Sequence, residues 1–418
     1  MRLREVKEAV YLLNVPAPTA ADVDAARERL RDRVLYTPLD YSETFSQLSA
    51  NDVYLKLENL QKTGSFKLRG AYNKISTLTT DEQARGVIAA SAGNHAQGVA
   101  YAARGKGVPC TIVMPEGASL AKVMATQRYG ARVVLHGNDY DEAYAHAKQL
   151  ADAEGLTYIH AFDDPYIIAG QGTIGLEVLE QLPDVGAIVI PMGGGGLATG
   201  IALAVKSRRP DIKIIGVQAQ AVPSFVHALE RGQIDAVQGQ PTIADGIAVK
   251  RPGALTFDLA RRYIDDVVTV DEDEIARAMI YLLERCKLVA EGAAAAGIAA
   301  TIFRKIPNNL GKVVCVLSGG NVDVVVLSRI IEHGLTEAGR YLRLAVTIQD
   351  RVGALRDVLD IVARHRANVL TVHHQRVGSH IHLGQTEVEI DLETRDHAHI
   401  QLLCDALKQA GYTPTLRD

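Results

Sequence analysis

The chain has 418 residues, 47% apolar and 22% charged, with no Trp, which exceeds one ordinary core and implies two or three domains. A formal net charge of -4 offers no basic field to nucleic acid, and Cys110, Cys286, Cys315 and Cys404 are too scattered for a disulfide scaffold or zinc site. The charged start MRLREVKEAVYLLNVPAP lacks an apolar core of signal-peptide length and no run approaches a membrane span, so the expected location is the cytoplasm.

PTAADVDAARERLRDRV reads as an amphipathic helix, with Thr19 as N-cap and Asp22 completing a capping-box pattern. From about residue 52 the chain alternates. The β-rich runs VYLKLE, GVIAAS, CTIVMP, ARVVLH, AIVIPM, IKIIGVQ and KVVCVLS are separated by helical patterns such as AHAKQLADAEG, TIGLEVLEQL and ATGIALAVKSRR. Such alternation predicts an α/β architecture of parallel sheets covered by helices. The runs are apolar on both faces, as buried parallel strands should be. After about residue 335 the pattern becomes strand, helix, two strands joined by a turn at Gly378–Ser379, helix and short strand. This is a βαββαβ unit of roughly 80 residues, with its boundary near Gly339.

Four segments carry chemistry. In KTGSFKLRG, Lys67 stands between Phe66 and Leu68, where an apolar wall would lower its pKa and free the amine as a nucleophile. The alternative is an ordinary lysine at a helix start. SAGNHAQG (Ser91 to Gly98) follows a strand and opens a helix, which presents backbone N–H groups to a carboxylate or phosphate. Many α/β loops look similar. IVIPMGGGGLATGIALA places Gly193 to Gly196 between strand and helix, free to wrap an oxyanion with the helix dipole behind. A plain turn is the competing reading, set against the entropic cost of four glycines. The loop is neither a Walker loop nor a dinucleotide fingerprint. VLSGGN aims Ser318 from a strand end into a crevice. Ligands gather at the C-terminal ends of strands in such sheets, so these loops point to one pocket.

In this order, SFKLRG, SAGNHAQG, GGGGL and LSGGN resemble the fold-type II pyridoxal-phosphate enzymes, with a tryptophan-synthase-β-like fold. Within that family the pattern is most similar to the threonine dehydratases, with serine dehydratases and serine racemases as near relatives. The resemblance covers about residues 20 to 330. DRVGALRDVLDIVARHRANVL resembles an ACT domain, a small amino-acid-sensing module. The implied organisation is a catalytic domain at 1–335, with a smaller subdomain at about 52–155, and a regulatory domain at 339–418.

The resemblance implies pyridoxal 5'-phosphate bound covalently to Lys67, which then serves as general base, with Phe66 near the cofactor ring. Gly193, Gly194, Gly195, Gly196 and Leu197 would cradle the phosphate. Asn94 would bond the ring hydroxyl, and Ser318 would face the ring nitrogen. Ser91, Ala92, Gly93, Asn94 and His95 would hold the substrate carboxylate, with Ser91 also counted as catalytic. The implied reaction takes L-threonine to 2-oxobutanoate and ammonia, with L-serine as a second substrate. Ala92 stands where racemases carry a second serine as acid/base, so racemisation lacks a catalyst. QAQAVPS (Gln218 to Ser224) contains no acid where, by the resemblance, racemase-like members hold a divalent cation, so no divalent metal is expected, with a monovalent cation as the alternative. Glu291 matches a glutamate near the cofactor, or is simply an acid at a helix N-terminus. His373, His374, His380 and His382 fit a polar strand face or subunit contact better than a metal site. By resemblance, an amino-acid effector would bind the loop containing Asp350, Gly353 and Leu355, and the chain would form a homotetramer or homodimer. Rival readings are an amino-acid sensor with an inactive enzyme domain and a β-replacing enzyme.

Overall fold

The computed structural model describes residues 16–376 and 382–417. It divides between Val322 and Asp323 into two compact units. The helix Ala20–Leu30 starts as its sequence indicates. The Asp22 N–H donates to Thr19 Oγ1, and the Thr19 N–H donates to the Asp22 carboxylate at 2.8 Å.

The described strands of the first unit are β1 (Leu39–Tyr41), β2 (Asp52–Lys56), β3 (Val87–Ala90), β4 (Cys110–Met114), β5 (Arg132–Leu135), β6 (Thr157–Tyr158), β7 (Ala187–Pro191), β8 (Lys213–Ala219), β9 (Asp266–Val270) and β10 (Lys312–Val316). They build a six-stranded sheet in the order β1-β2-β10-β7-β8-β9 and a four-stranded sheet in the order β5-β4-β3-β6. All pairings are parallel except β1 with β2. β3 and β7 are buried at every position, which is why their sequences are apolar without alternation. Of the span 52–155 read as a smaller subdomain, β2 pairs with β10 in the six-stranded sheet, while β3 to β5 join β6 in the other. The strands β1, β6 and β9 fall outside the β-rich runs recognised in the sequence.

The helix Pro165–Gln181 is a spine between two helices that matter for function. Asp164 caps it by accepting the Tyr166 and Ile167 N–H groups, and Pro165 occupies a first-turn position where no donor is missed. A Cβ at Gly170 would meet Arg69 O and Gly70 Cα at 2.7 Å, and one at Gly172 would meet Gly200 O at 2.7 Å. Backbone therefore touches backbone on both sides of the spine. That contact sets the helix Lys67–Ser76 and the helix Gly196–Lys206 at fixed positions in the unit.

The second unit contains the helix Val324–Glu337, followed by β11 (Tyr341–Gln349), the helix Ala354–Arg364, β12 (Asn368–Gln375), β13 (Gln385–Glu393), the helix His397–Gln409 and β14 (Pro414–Arg417). Its sheet runs β12-β13-β11-β14, antiparallel throughout. Leu342, Leu344, Val346 and Ile348 alternate along β11 and pack with Val358, Val362, Leu403 and Leu407 of the helices. This is the βαββαβ order expected from the sequence. The Gly378–Ser379 turn and His380 lie outside the described residues. Among the described residues no helix is long and apolar enough to cross a membrane.

Candidate active site

A cavity of about 910 Å³ in the first unit is lined by the segments that follow β3, β6, β7 and β10, together with the start of the helix Lys67–Ser76. The segments after β3, β6, β7 and β10 leave the C-terminal ends of parallel strands, where neighbouring connections diverge and leave a crevice. Phe66, Lys67, Ser91 to His95, Gly193 to Leu197 and Ser318 all border it, so the four motifs meet in space.

Lys67 is the first residue of its helix. Its Nζ donates to Ala161 O at 3.0 Å and lies 5.2 Å from the centre of the Phe66 ring. Burial pushes the amine down to about 8, against the opposing pull of Glu291. A helix N-terminus is also a poor place for a cation. The segment before Lys67 is fastened to the loop after β10. Phe66 N–H donates to Ser318 O at 3.0 Å, Gly320 N–H to Gly64 O at 2.9 Å, and Asn321 Nδ2 to Thr63 O at 2.8 Å. The nucleophile and Ser318 are thus held in one register by backbone bonds.

At the end of β3 the Gly93 N–H donates to Ser91 Oγ at 3.1 Å, forming a tight turn into the helix Asn94–Lys106. Ala92 lines the cavity and brings no polar side-chain atom. Asn94 Nδ2 donates to both Glu291 carboxylate oxygens, at 2.8 and 2.9 Å, and Asn94 Oδ1 accepts from Asn321 Nδ2 at 2.8 Å. Glu291 is the N-cap residue of the helix Gly292–Ile302. Its carboxyl is pushed up to about 7 by burial, against the Asn94 hydrogen bonds. The His95 ring is buried, with Nε2 2.9 Å from Ile159 O. That leaves its backbone, rather than its ring, to act on an anion. Burial pushes this imidazole down to about 3, so it is neutral and Nε2 donates.

The tetraglycine loop joins β7 to the helix Gly196–Lys206. Gly195 has φ +94°, a left-handed conformation suited to glycine. A Cβ at Gly193 would stand 2.9 Å from Ile247 Cα, and one at Gly196 would stand 2.9 Å from Phe162 O. At Gly194 and Gly195 it would run into the rings of Phe162 and Phe225. The loop is pressed on its outer side by protein, so it is not a slack turn. Thr256 Oγ1 anchors it by donating to Gly194 O at 2.8 Å. Among the described residues, the N–H groups of Gly193 to Gly196 donate to no backbone carbonyl. A row of unpaired donors at a helix N-terminus, facing a cavity that holds a depressed lysine amine, fits the phosphate and aldehyde of pyridoxal phosphate.

Sequence reasoning passed over the segment after β6. His160, Ala161 and Phe162 line the cavity; Ala161 carries the carbonyl that meets Lys67. The Asp163 carboxylate accepts the N–H groups of Ala254 and Thr256. Its position at a strand end just before a proline-started helix was the available signal. Asn321, the last residue of LSGGN, donates to Asn94 Oδ1.

In the second unit, Asp350 and Gly353 lie between β11 and the helix Ala354–Arg364, and Leu355 is the second residue of that helix. Asp350 N–H donates to Gly384 O at 2.9 Å, and its carboxylate lies 3.4 Å from Arg376 Nε. Gly353 has φ +88° at the helix N-cap, and Leu355 packs on the unit's core. His373 and His374 stand opposite Glu389 and Val388 in the β12–β13 ladder.

The family of pyridoxal-phosphate dependent enzymes matches residues 30–319, and the ACT domain family matches residues 339–412. The chain is 50% identical over 394 residues to an L-threonine ammonia-lyase of Thermotoga maritima, covering 94% of this chain and 98% of that one. The structure of threonine deaminase isoform 2 from Solanum lycopersicum superposes with a TM-score of 0.69 at 39% identity, covering 76% of this chain and 96% of the other. Maize serine racemase superposes with a TM-score of 0.73 at 33% identity, covering 77% and 99%.

Proposed function

The chain belongs to the family of pyridoxal-phosphate dependent enzymes, with an ACT domain at its C-terminal end, and from that premise we propose that it is a threonine ammonia-lyase. It converts L-threonine to 2-oxobutanoate and ammonia. The observation that carries this reading is the meeting of Lys67, the Ser91–Asn94 turn, the tetraglycine loop and Ser318 in one cavity.

Lys67 would hold pyridoxal phosphate through its amine, and the N–H groups of Gly193 to Leu197 would hold the phosphate. Phe66 would flank the ring, Asn94 would meet the ring hydroxyl, and Ser318 would offer the ring nitrogen a neutral hydroxyl rather than a carboxylate. When bound, the cofactor supplies an electron sink for the bonds at the substrate's Cα. The Ser91–His95 turn binds the substrate carboxylate through backbone N–H groups at a helix N-terminus. Lys67, once free, takes the Cα proton. Burial, which holds this amine low, favours the unprotonated form that a general base needs, a role that contributes about 10²–10⁴ in rate. The β-hydroxyl takes up a proton and leaves as water, matching the proton lost from Cα; the released enamine tautomerises to the imine, which water hydrolyses to 2-oxobutanoate and ammonia. Ala92 offers no second proton carrier on the other face of Cα, which favours elimination over racemisation. L-serine fits the same cavity and yields pyruvate.

The second unit binds an amino-acid effector near Asp350, Gly353 and Leu355 and so regulates the enzyme. The protein works in the cytoplasm as a homotetramer or homodimer, in isoleucine synthesis or threonine breakdown. The test of the assignment is to load the protein with pyridoxal phosphate, reduce it with borohydride and map the peptides. The cofactor mass belongs on the peptide containing Lys67; its appearance on another lysine overturns the assignment.

A further inference from the structure

The turn after β6 touches both Lys67 and the tetraglycine loop, and one side chain holds it. His160 Nδ1 accepts the Phe162 N–H at 3.2 Å and the Asp163 N–H at 2.8 Å. Two N–H donors on one ring nitrogen require that nitrogen to be unprotonated, so the ring's proton sits on Nε2. The imidazole acts here as an Asx side chain acts in a turn. What the turn presents is specific. Ala161 O accepts from Lys67 Nζ at 3.0 Å. The Phe162 ring packs edge-on against His160, at 4.7 Å between centroids, and lies over Gly194, while the Phe162 carbonyl, Cα and Cβ back Gly196. Asp163 holds the N–H groups of Ala254 and Thr256, and the Thr256 hydroxyl holds Gly194 O at 2.8 Å. From one ring, therefore, a continuous chain of contacts reaches the amine on one side and the phosphate-binding loop on the other.

We propose that His160 is a positioning residue, whose unprotonated Nδ1 fixes the 160–163 turn and so sets the Lys67 amine against the tetraglycine loop. This rests on the reading of Lys67 and the loop as the cofactor site. Tying one N–H of Lys67 to Ala161 O fixes where its lone pair points, which a surface lysine could not achieve. Protonation of Nδ1 expels both backbone donors. The charged and titratable groups around the ring are Asp163 and Asp164 on its own segment, Tyr158 of β6 with its ring edge-on at 6.2 Å, Lys148 on the helix Tyr140–Glu154, and Lys67; His95 lies close enough to feel its charge. Burial holds the imidazole below its ordinary range, against the pull of the two aspartates.

The test compares His160→Ala with His160→Asn in the cofactor-loaded full chain. Asparagine keeps an acceptor within reach of the same two N–H groups but does not titrate. His160→Ala should lower kcat by roughly 10–100-fold with a smaller change in KM, because the amine is displaced rather than the substrate site. It should also weaken cofactor binding, followed by absorbance without turnover, by about tenfold. His160→Asn should restore both to within about threefold of the native protein and remove any acid limb of the kcat profile due to this ring. The proposal is overturned if His160→Ala leaves kcat and cofactor affinity unchanged, or if His160→Asn, folded by circular dichroism, loses as much as His160→Ala. A native protein that binds cofactor yet releases no oxo acid would instead count against the proposed reaction, and the affinity series would still decide the role of His160.

Discussion

Replacing Lys56 by Met should destabilise the protein far more than a surface lysine would. Lys56, Glu58, Arg69 and Glu177 form two cations and two anions closed off from solvent, with side-chain exposures of 0%, 0%, 0% and 11%. Lys56 Nζ lies 2.6 Å from Glu177 Oε2 and also donates to Thr37 O and Gln181 Oε1. Arg69 forks onto Glu58 with two bonds of 2.8 Å and reaches Glu177 Oε1 at 2.6 Å. Burial pushes the Lys56 amine down, with Glu177 pulling back. Burial pushes Glu58 up, but Arg69 outweighs it and holds the carboxyl below its ordinary value. Removing one partner of a buried pair leaves an uncompensated charge and costs about 3–5 kcal/mol. Lys56→Met leaves an excess anion, and Glu177→Gln leaves an excess cation. The double variant leaves the neutral Arg69–Glu58 fork. Its cost should fall below the sum of the singles by about 1–3 kcal/mol. Urea unfolding followed by circular dichroism measures all three. Strict additivity, or a loss below about 1 kcal/mol for Lys56→Met, refutes the reasoning.

Other outcomes follow from the same geometry. Gly194→Ala places a Cβ 2.4 Å from the Phe162 ring and should weaken pyridoxal-phosphate binding at least about tenfold, read by absorbance titration. In the protein without cofactor, amine-specific labelling of Lys67 should be half-maximal near its value of about 8, while surface lysines react only at higher pH. His95 is held down to about 3, below its unfolded value, so the unfolded chain binds the extra proton in between. Stability on this account is complete above about pH 6.5 and falls as pH drops, by about 2 kcal/mol at pH 5, an effect that His95→Gln should remove from the acid-unfolding curve. Ala92→Ser should yield measurable D-serine from L-serine, detected by chiral chromatography, because it adds a proton carrier on the second face.

The parts of this structure that were legible in the sequence are those whose physics is local. β3, β4, β7, β8 and β10 announce themselves because strands buried on both faces need unbroken apolar runs. The tetraglycine loop is legible because few constraints other than close backbone approach select four glycines. β1, β6 and β9 were not picked out: β1 and β6 have three and two residues, and β9 is a half-buried edge strand. The buried quartet was hidden for a different reason. Lys56 and Glu58 in VYLKLE look like solvated positions, and their partners Arg69 and Glu177 are supplied by distant segments. His160 escaped notice because the residues of IHAFDD carry no composition signal. The role proposed for it rests on hydrogen bonds from Phe162 and Asp163, two and three positions on, and on Phe162 packing against glycines far along the chain.

The central claim is that Lys67 does the chemistry in a cavity that takes L-threonine. The most direct measurement is release of 2-oxobutanoate from L-threonine by the cofactor-loaded protein, with Lys67→Ala assayed beside it. The account predicts rapid release by the native protein and none above background by the variant. No oxo acid from the native protein, or equal release by Lys67→Ala, would contradict it.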